Sequence, residues 1–166
     1  MSTERFRPAV TVAAVVEHEG RYLLVEEHTD DGLRLNNPAG HLEPGETLLQ
    51  AVVREALEET ARPFAPDALV GVYRADLRRG DATVAYLRFA FRGRVGAPLV
   101  GRALDAGIVR TLWLSPAEVQ ASRARHRSPL VWRCVRDHLA GCSYPLALLV
   151  DGTDGTDGAD DDALAR

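Results

Sequence analysis

The chain lacks the features that membrane, exported and polynucleotide-binding proteins usually carry. The apolar run Ala9–Val16 is too short to span a bilayer, and the residues before it do not have the layout of a signal peptide. The spacing of the two cysteines, Cys134 and Cys142, is not that of a metal site. The net charge of −4 provides no basic surface for a polynucleotide. We therefore expect a cytoplasmic protein whose partners are small molecules, not nucleic acids or membranes.

Length and composition indicate one globular domain. With 166 residues, of which 46% are hydrophobic and 27% charged, the chain is long enough to bury a core. We place this domain at residues 1–150. From Asp151 the sequence becomes a low-complexity stretch of aspartate, glycine and threonine, which cannot bury enough apolar surface to order itself. Residues 151–166 are accordingly predicted to form a disordered acidic tail.

The most informative segment is residues 40–59, where a loop with glycines leads into a predicted helix. Thr47 and Gln50 have the spacing of a capping box, which indicates a helix start. Helical residues three and four apart share a face, so this helix projects several carboxylates into one arc. The acids of this arc are Glu55, Glu58 and Glu59. The residues on roughly the opposite side, which we assign to the core, are Leu49, Val53, Ala56 and Leu57.

An acidic arc of this kind has two interpretations. On an exposed helix each pair of like charges costs only about a few tenths of a kcal/mol, so the arc can be a solvated face. It can also hold a hard divalent cation, Mg²⁺ or alternatively Mn²⁺, because such ions prefer oxygen ligands. Gly40 has no Cβ, which lets its carbonyl approach a bound ion closely. Arg54 is better placed to pair with Glu46 than to meet the cation.

These residues resemble a known motif. Gly40, Glu46 and the run from Arg54 to Glu59 are similar to the Nudix box, the signature of hydrolases that act on nucleoside diphosphates linked to another group. Every charged position of that motif is retained. The chain departs from it at Ala61 and Arg62, where the family usually has glycine and an apolar residue. The proline that follows can end the helix in their place.

Segments outside the box resemble the NudJ-type Nudix phosphatases over roughly residues 6–150. That subgroup hydrolyses nucleoside tri- and diphosphates, releasing inorganic phosphate, and also hydroxymethylpyrimidine diphosphate. The resemblance implies a Mg²⁺-dependent hydrolase of such phosphoric anhydrides. Two alternatives stay open: a Nudix pyrophosphatase acting on ADP-ribose or another nucleoside diphosphate derivative, and a non-catalytic nucleotide-binding Nudix module. The segments that carry the likeness are residues 8–16, 37–43, 87–89, 127–131 and 144–146.

The resemblance also implies roles for individual residues. The implied metal ligands are Gly40, Glu55, Glu58 and Glu59. The implied catalytic residues are Glu55, Arg54 and Glu58. For the base that takes a proton from water, Glu55 is our first choice and Asp105 the second. Many Nudix proteins carry a loop acid at the position of Gly107, and Asp105 lies two residues away.

Side chains outside the box are candidates for substrate binding. Arg88 lies on the same side of a predicted strand as Tyr86, and Arg34 precedes the box. For the arginines the alternative is a solubilising role at the surface. Tyr86 or Tyr22 can stack on a base, or be a core aromatic with its hydroxyl at the rim. We interpret His41 and Glu43 as structural and assign no role to His126 or His138.

Hydrophobic periodicity and turn signals predict an α/β fold. The predicted strands are Val10–Val16, Tyr22–Glu26, Leu69–Ala75, Thr83–Arg92 and Ile108–Leu114. Ser115-Pro116 and Ser128-Pro129 predict the starts of two further helices, the second of which reaches Leu139. With the helix after Thr47, these elements match the fold that the resemblance implies, an α/β/α sandwich with a mixed sheet.

Overall fold

The computed structural model of the chain describes residues 5–152. The strands are β1 (Ala9–His18), β2 (Arg21–Thr29), β3 (Gly32–Asn36), β4 (Ala39–His41), β5 (Phe64–Arg79), β6 (Ala82–Val95) and β7 (Ile108–Leu114). The helices are α1 (Leu48–Thr60), α2 (Pro116–Ala121) and α3 (Leu130–Leu139), with short 3₁₀ turns at Arg123–Arg125 and Leu146–Leu148. Apart from Asp151 and Gly152, the predicted acidic tail lies outside the described residues.

The strands form one mixed sheet in which β1 is central. The order is β3-β2-β1-β6-β5, with β4 paired to β1 and β7 paired to β2. β1 runs parallel to β6, whereas the other pairs are antiparallel. Because β1 is covered on both faces, its residues from Val12 to Val16 are almost fully buried.

Helices cover both faces of the sheet, which confirms the α/β/α sandwich. On one face α1 contributes Ala51, Val52 and Ala56 to a core that also contains Phe91. On the other face α3 contributes Val131, Cys134 and Val135 to a core that also contains Tyr22. Within the described residues, no helix has the length and apolar character needed to cross a membrane.

Three local expectations need correction. β3 and β4 were not among the predicted strands, because they are short and lack clear alternation. The core side of α1 is formed by Ala51, Val52 and Ala56, whereas Val53 and Leu57 are only partly buried. Glu55 and Glu59, two of the predicted metal ligands, are also buried and therefore lie beside the core and not opposite it. In α3 the cap position is Pro129 and makes no side-chain capping bond, while the Ser128 hydroxyl accepts from the Leu130 amide at 3.3 Å.

Candidate active site

Both ends of α1 are fixed by local backbone chemistry. The Thr47 hydroxyl accepts from the Gln50 amide at 3.1 Å, and the Gln50 side chain accepts from the Thr47 amide at 2.8 Å, which confirms the capping box. The helix ends at Ala61, whose φ of 55° is left-handed. Glycine adopts this conformation without steric cost, so the glycine usual at this position in the family has a structural explanation.

Glu55 lies against Gly40 of β4. The Glu55 side chain is only 11% exposed. A Cβ on Gly40 would lie closer than 3.0 Å to the Glu55 carboxyl group, so the carboxylate fills the space that any other residue's side chain would occupy. Burial raises the pKa of Glu55, and the neighbouring Arg54 partly offsets that shift. The absence of a side chain at Gly40 therefore positions this carboxylate.

The Glu59 side chain is also held against β4, by a hydrogen bond. Its carboxylate accepts from the Ala39 amide at 2.8 Å. The pKa of Glu59 is raised to about 8, mainly by burial and also by the negative charges of Glu55, Glu27 and Asp105, although the Ala39 hydrogen bond acts in the opposite direction. Negative charge is thus concentrated where α1 meets β4, in a setting that favours a compensating cation.

Arg54 joins the acids of the box. Its guanidinium donates to both Glu46 oxygens, at 2.7 and 3.0 Å, which confirms the predicted pair. Its Nη1 also donates to Glu55 at 2.8 Å and to Glu58 at 3.1 Å. Glu46, and after it Glu55, raise the pKa of Arg54, and Arg54 in turn lowers the pKa of Glu46. Arg54 therefore orients two of the predicted metal ligands as well as pairing with Glu46.

The acids do not converge on one point in this arrangement. Within residues 5–152, no three His, Cys, Asp or Glu side chains are grouped closely enough to hold a metal ion. The reason is visible in the hydrogen bonds: Arg54 lies between Glu55 and Glu58, and Glu59 is turned towards the Ala39 amide. The donor set still fits a hard divalent cation, because the buried Glu55 carboxylate lies against Gly40 and the buried Glu59 carboxylate is bonded to the neighbouring Ala39 amide.

Asp105 is brought to the end of α1 by the loop before β7. Its amide donates to the Glu58 carbonyl at 2.9 Å. Its carboxylate is close enough to raise the pKa values of Glu55 and Glu59. The second choice for the general base therefore lies beside the acidic cluster, although Gly107 occupies the expected position.

A pocket opens next to Gly40 on the face of the sheet that α3 covers. The cross-strand register places His41, Thr11 and Arg88 in one row, and Tyr86 lies two residues from Arg88 on the same face. Tyr86 and Arg88 both line this pocket, so the structure brings two of the three predicted substrate-binding residues together with Gly40. The complete lining is Thr11, Glu27, Asn36, Ala39, Gly40, His41, Leu77, Arg79, Tyr86, Arg88, Arg127, Ser128 and Leu130.

Arg88 is an unusual residue in this pocket. It is only 8% exposed, and its Nε and Nη1 have no hydrogen-bond partner among the described residues. Burial lowers its pKa, and the neighbouring Cys134, followed by Glu27 and Glu59, acts in the opposite direction. A buried cation with unused donors next to a pocket is suited to an anionic or strongly accepting ligand group.

Other predicted residues lie elsewhere or have structural contacts. Arg34 lines a neighbouring groove between the β2–β3 and β5–β6 turns, which shares Arg79 and Arg127 with the pocket. Tyr22 is a core residue whose hydroxyl contacts His138 Nδ1 at 2.7 Å. His41 is exposed, and its ring centroid lies 6.2 Å from that of Tyr86, so its position is at the pocket and not in the core.

Several polar residues of the pocket were not among the predicted site residues, and Glu27, Asn36, Thr11 and Arg127 are the ones with the most informative contacts. Glu27 and Asn36 lie at the ends of neighbouring strands, and Thr11 lies in the middle of an apolar strand. Arg127 donates to Glu27 at 2.6 Å across 100 positions of sequence. Glu27, Asn36 and Thr11 are single polar residues without a motif, and Arg127 lies in segment 127–131, for which the resemblance implied no role at the site. Only the alternation of β2, which places Glu27 on the same face as Val25, gave a usable signal.

The comparisons with known proteins agree with this geometry. A family model described as the NUDIX domain matches residues 5–132. The chain therefore belongs to the Nudix family, and it is a hydrolase that acts on phosphoric anhydride bonds. Members of this family generally need a divalent metal ion, typically Mg²⁺.

Individual relatives show how similar the chain is to known Nudix proteins. Phosphatase NudJ of Escherichia coli (strain K12) is 38% identical over 147 residues, which are 88% of this chain and 93% of NudJ. A NUDIX hydrolase from Nitrosomonas europaea has a solved structure that is 47% identical, with a TM-score of 0.84 over 89% of this chain and 99% of that one. The NUDIX domain of Shewanella oneidensis NrtR, solved with ADP ribose, has a TM-score of 0.64 at 17% identity over 84% of this chain and 93% of that one, which shows the shared fold alone.

Proposed function

We propose that the protein is a Mg²⁺-dependent hydrolase of nucleoside tri- and diphosphates or related diphosphate compounds, and that it releases inorganic phosphate. The observation that carries this proposal is the placement of buried Glu55 against Gly40 and of buried Glu59 on the Ala39 amide, beside a pocket that Ala39, Gly40 and Arg88 line. The 38% identity to phosphatase NudJ supports the phosphatase activity over other Nudix reactions.

The acidic cluster is the proposed metal site. Gly40, Glu55, Glu58 and Glu59 would hold the ion, after Glu55 and Glu58 exchange their contact with Arg54 for the cation. Bound Mg²⁺ neutralises phosphate oxygens and lowers the pKa of water. Mn²⁺ is the alternative ion, because it also prefers oxygen ligands.

The remaining chemistry is assigned to side chains of this chain. Glu55 would take the proton of the attacking water, with Asp105 as the alternative base because its charge acts on the same carboxylates. Arg54 would position Glu55 and Glu58 through its Nη1. Positioning and charge stabilisation dominate phosphoryl transfer, so little covalent assistance is needed.

Arg88 and Tyr86 are the proposed substrate contacts in the pocket, and Arg34 is a more distant one. The Arg88 guanidinium would donate to the substrate, because its Nε and Nη1 have no partner among the described residues. Tyr86 would contact a ring of the substrate from the pocket wall. Arg34, in the adjoining groove, would reach only a substrate that extends past Arg79. The cytoplasmic location stays a prediction from the sequence.

The test is a panel of nucleoside tri- and diphosphates, ADP-ribose and hydroxymethylpyrimidine diphosphate, incubated with Mg²⁺ and then with EDTA. We expect phosphate release that EDTA abolishes, with inorganic phosphate and not pyrophosphate as the product. Pyrophosphate release or preferential cleavage of ADP-ribose would favour the pyrophosphatase alternative. Tight nucleotide binding without turnover would favour a non-catalytic module, although such modules usually lose box carboxylates and this chain retains them.

A further inference from the structure

The pocket beside Gly40 concentrates polar atoms that have no hydrogen-bond partner. Among the described residues, eight buried side-chain nitrogen and oxygen atoms lack a partner, and five of them belong to residues that line this one pocket. A buried polar atom without a partner costs free energy, so native proteins contain few of them. Their accumulation in one pocket indicates that a bound ligand supplies the missing hydrogen-bond partners. The five atoms are Thr11 Oγ1, Glu27 Oε1, Asn36 Oδ1 and the Nε and Nη1 of Arg88.

These atoms have a definite chemical pattern. Glu27 Oε1 and Asn36 Oδ1 accept hydrogen bonds, the two Arg88 nitrogens donate them, and the Thr11 hydroxyl can do either. The other Glu27 oxygen is held by Arg127 at 2.6 Å, so the carboxylate has a fixed orientation. The pattern therefore suits a ligand that presents at least two N–H or O–H donors and an acceptor.

The fold explains why these groups lie together. Asn36 is paired with Val25 in the β2–β3 ladder, so Asn36 and Glu27 lie on the same face of neighbouring strands. Thr11 is paired with Arg88 in the β1–β6 ladder. Arg88 and Glu27 are close enough for the carboxylate to raise the pKa of the guanidinium. The residues that carry the acceptors and the donors thus line one pocket from two parts of the sheet.

Planar side chains border the same space. Tyr86 and His41 line the pocket with ring centroids 6.2 Å apart, and the Arg79 guanidinium lies 5.6 Å from the centre of the Tyr86 ring. Aromatic and guanidinium planes stack on heterocyclic rings. A nitrogen heterocycle is the ligand group that fits both the stacking surface and the polar pattern. A sugar, which offers only hydroxyl groups, would not fit both.

We propose that this pocket selects a guanine-type ring, with Glu27 as the residue that determines the selectivity. Guanine presents one carbonyl acceptor next to two N–H donor groups, at N1 and N2, which complements a guanidinium and two acceptors. Adenine, cytosine and uracil each present a single donor group on the corresponding edge, and adenine and cytosine place an acceptor nitrogen where a carboxylate would repel it. This inference rests on the proposed hydrolysis of nucleotides and specifies the base.

The experiment compares GDP with inosine diphosphate, which lacks only the 2-amino group, and with ADP, in the full-length protein with Mg²⁺. We expect kcat/KM for GDP to exceed that for inosine diphosphate by about tenfold or more, because the site's buried acceptors are unpaired with the analogue. Glu27→Gln should reduce the ratio of kcat/KM for GDP to kcat/KM for inosine diphosphate by about tenfold. Equal rates for GDP and inosine diphosphate in the wild type would overturn the proposal.

Glu19→Gln is the matched control, because it makes the same chemical change at a side chain that is 84% exposed and does not line the pocket. The GDP preference should persist in this variant, and melting temperatures should show that both variants fold. If Glu27→Gln weakened all three substrates equally, Glu27 would have only a structural role and the proposal would fail.

Inhibition constants or equilibrium binding of GMP, inosine monophosphate and AMP provide a readout that needs no turnover. If no nucleotide were hydrolysed, the proposed function would fail, and tighter binding of GMP than of inosine monophosphate would still support the guanine pocket. Equal binding of the three monophosphates would exclude it.

Discussion

Replacement of Gly40 by alanine tests whether the Glu55 carboxylate must lie where the structure places it. The backbone of Gly40 is not left-handed, so alanine introduces no backbone strain there. The new methyl group would lie closer than 3.0 Å to the Glu55 carboxyl group, which is the movable end of a side chain. We expect this carboxylate to be displaced by more than about 1 Å while the strand keeps its course.

The expected stability change is small compared with the change in rate. Displacement breaks the 2.8 Å bond from Arg54, and a hydrogen bond to a charged group contributes about 1.5–3 kcal/mol. Alanine has less conformational freedom than glycine in the unfolded chain, which stabilises the folded protein by about 0.4–1 kcal/mol and offsets part of this loss. The net loss of about 1–2 kcal/mol corresponds to a few degrees in melting temperature, at about 2–4 °C for each kcal/mol. A misplacement of about 1 Å at a reacting group, in contrast, lowers kcat/KM by about 100-fold.

The measurement is kcat/KM over a Mg²⁺ titration, together with thermal unfolding. Gly96→Ala is the matched control, since its Cβ would meet its nearest neighbour, Pro63, at 3.6 Å, which is ordinary contact. We expect this control to retain its rate. A Gly40→Ala protein that is folded and has nearly normal kcat/KM and Mg²⁺ dependence would refute the role of the Gly40 space in positioning Glu55.

Three further predictions concern charge. Glu58→Gln should lower turnover by at least about 100-fold with a normal melting temperature, because it removes a ligand charge without changing shape; nearly normal kinetics would contradict the ligand assignment. In the folded protein the pKa of Glu59 is about 8, so its carboxyl group stays protonated below that pH. The contribution of this group to the free energy of unfolding is therefore lost as pH rises towards 8. Glu59→Gln should therefore raise the melting temperature in EDTA at pH 9 while reducing the stabilisation by Mg²⁺; a lower melting temperature in EDTA would show that the buried charge is not costly. Burial lowers the pKa of His138 below 6.5, so the unfolded chain is protonated first and stability should fall as pH drops below 6.5. His138→Gln should make the slope of unfolding free energy between pH 5 and 7 smaller in denaturant titrations, and an unchanged slope would count against this assignment.

The sequence predicted the elements whose signals are local. The strands Val10–Val16 and Ile108–Leu114 follow from continuous or alternating apolar residues, and the structure contains them. The start of α1 follows from Thr47 and Gln50, because a capping box depends on residues three apart. The short strands β3 and β4 were missed, since three to five residues give little periodicity and their pairing partners are distant in sequence.

For the candidate site, the sequence predicted the box residues but not their surroundings. The pair of Arg54 with Glu46 was predicted correctly, because helix geometry and a short loop bring them together. The additional contacts of Arg54 with Glu55 and Glu58 were not predicted, since side-chain rotamers decide which acid the guanidinium reaches. The burial of Glu55 and Glu59 was also unexpected, because their side of α1 is set by how the helix packs against β1 and β4.

By itself the sequence determined the fold family, the acidic helix and the hydrolase class, because the Nudix box is a contiguous pattern in which each residue type is needed for local chemistry. Only the tertiary structure decided the composition of the pocket. Thr11, Glu27, Asn36 and Arg88 come from four different strands, and their meeting depends on sheet order and register, for which no single segment carries a signal. Long-range strand pairing therefore determines which side chains line the pocket, whereas the local motif determines the class of bond, a phosphoric anhydride, on which the enzyme acts.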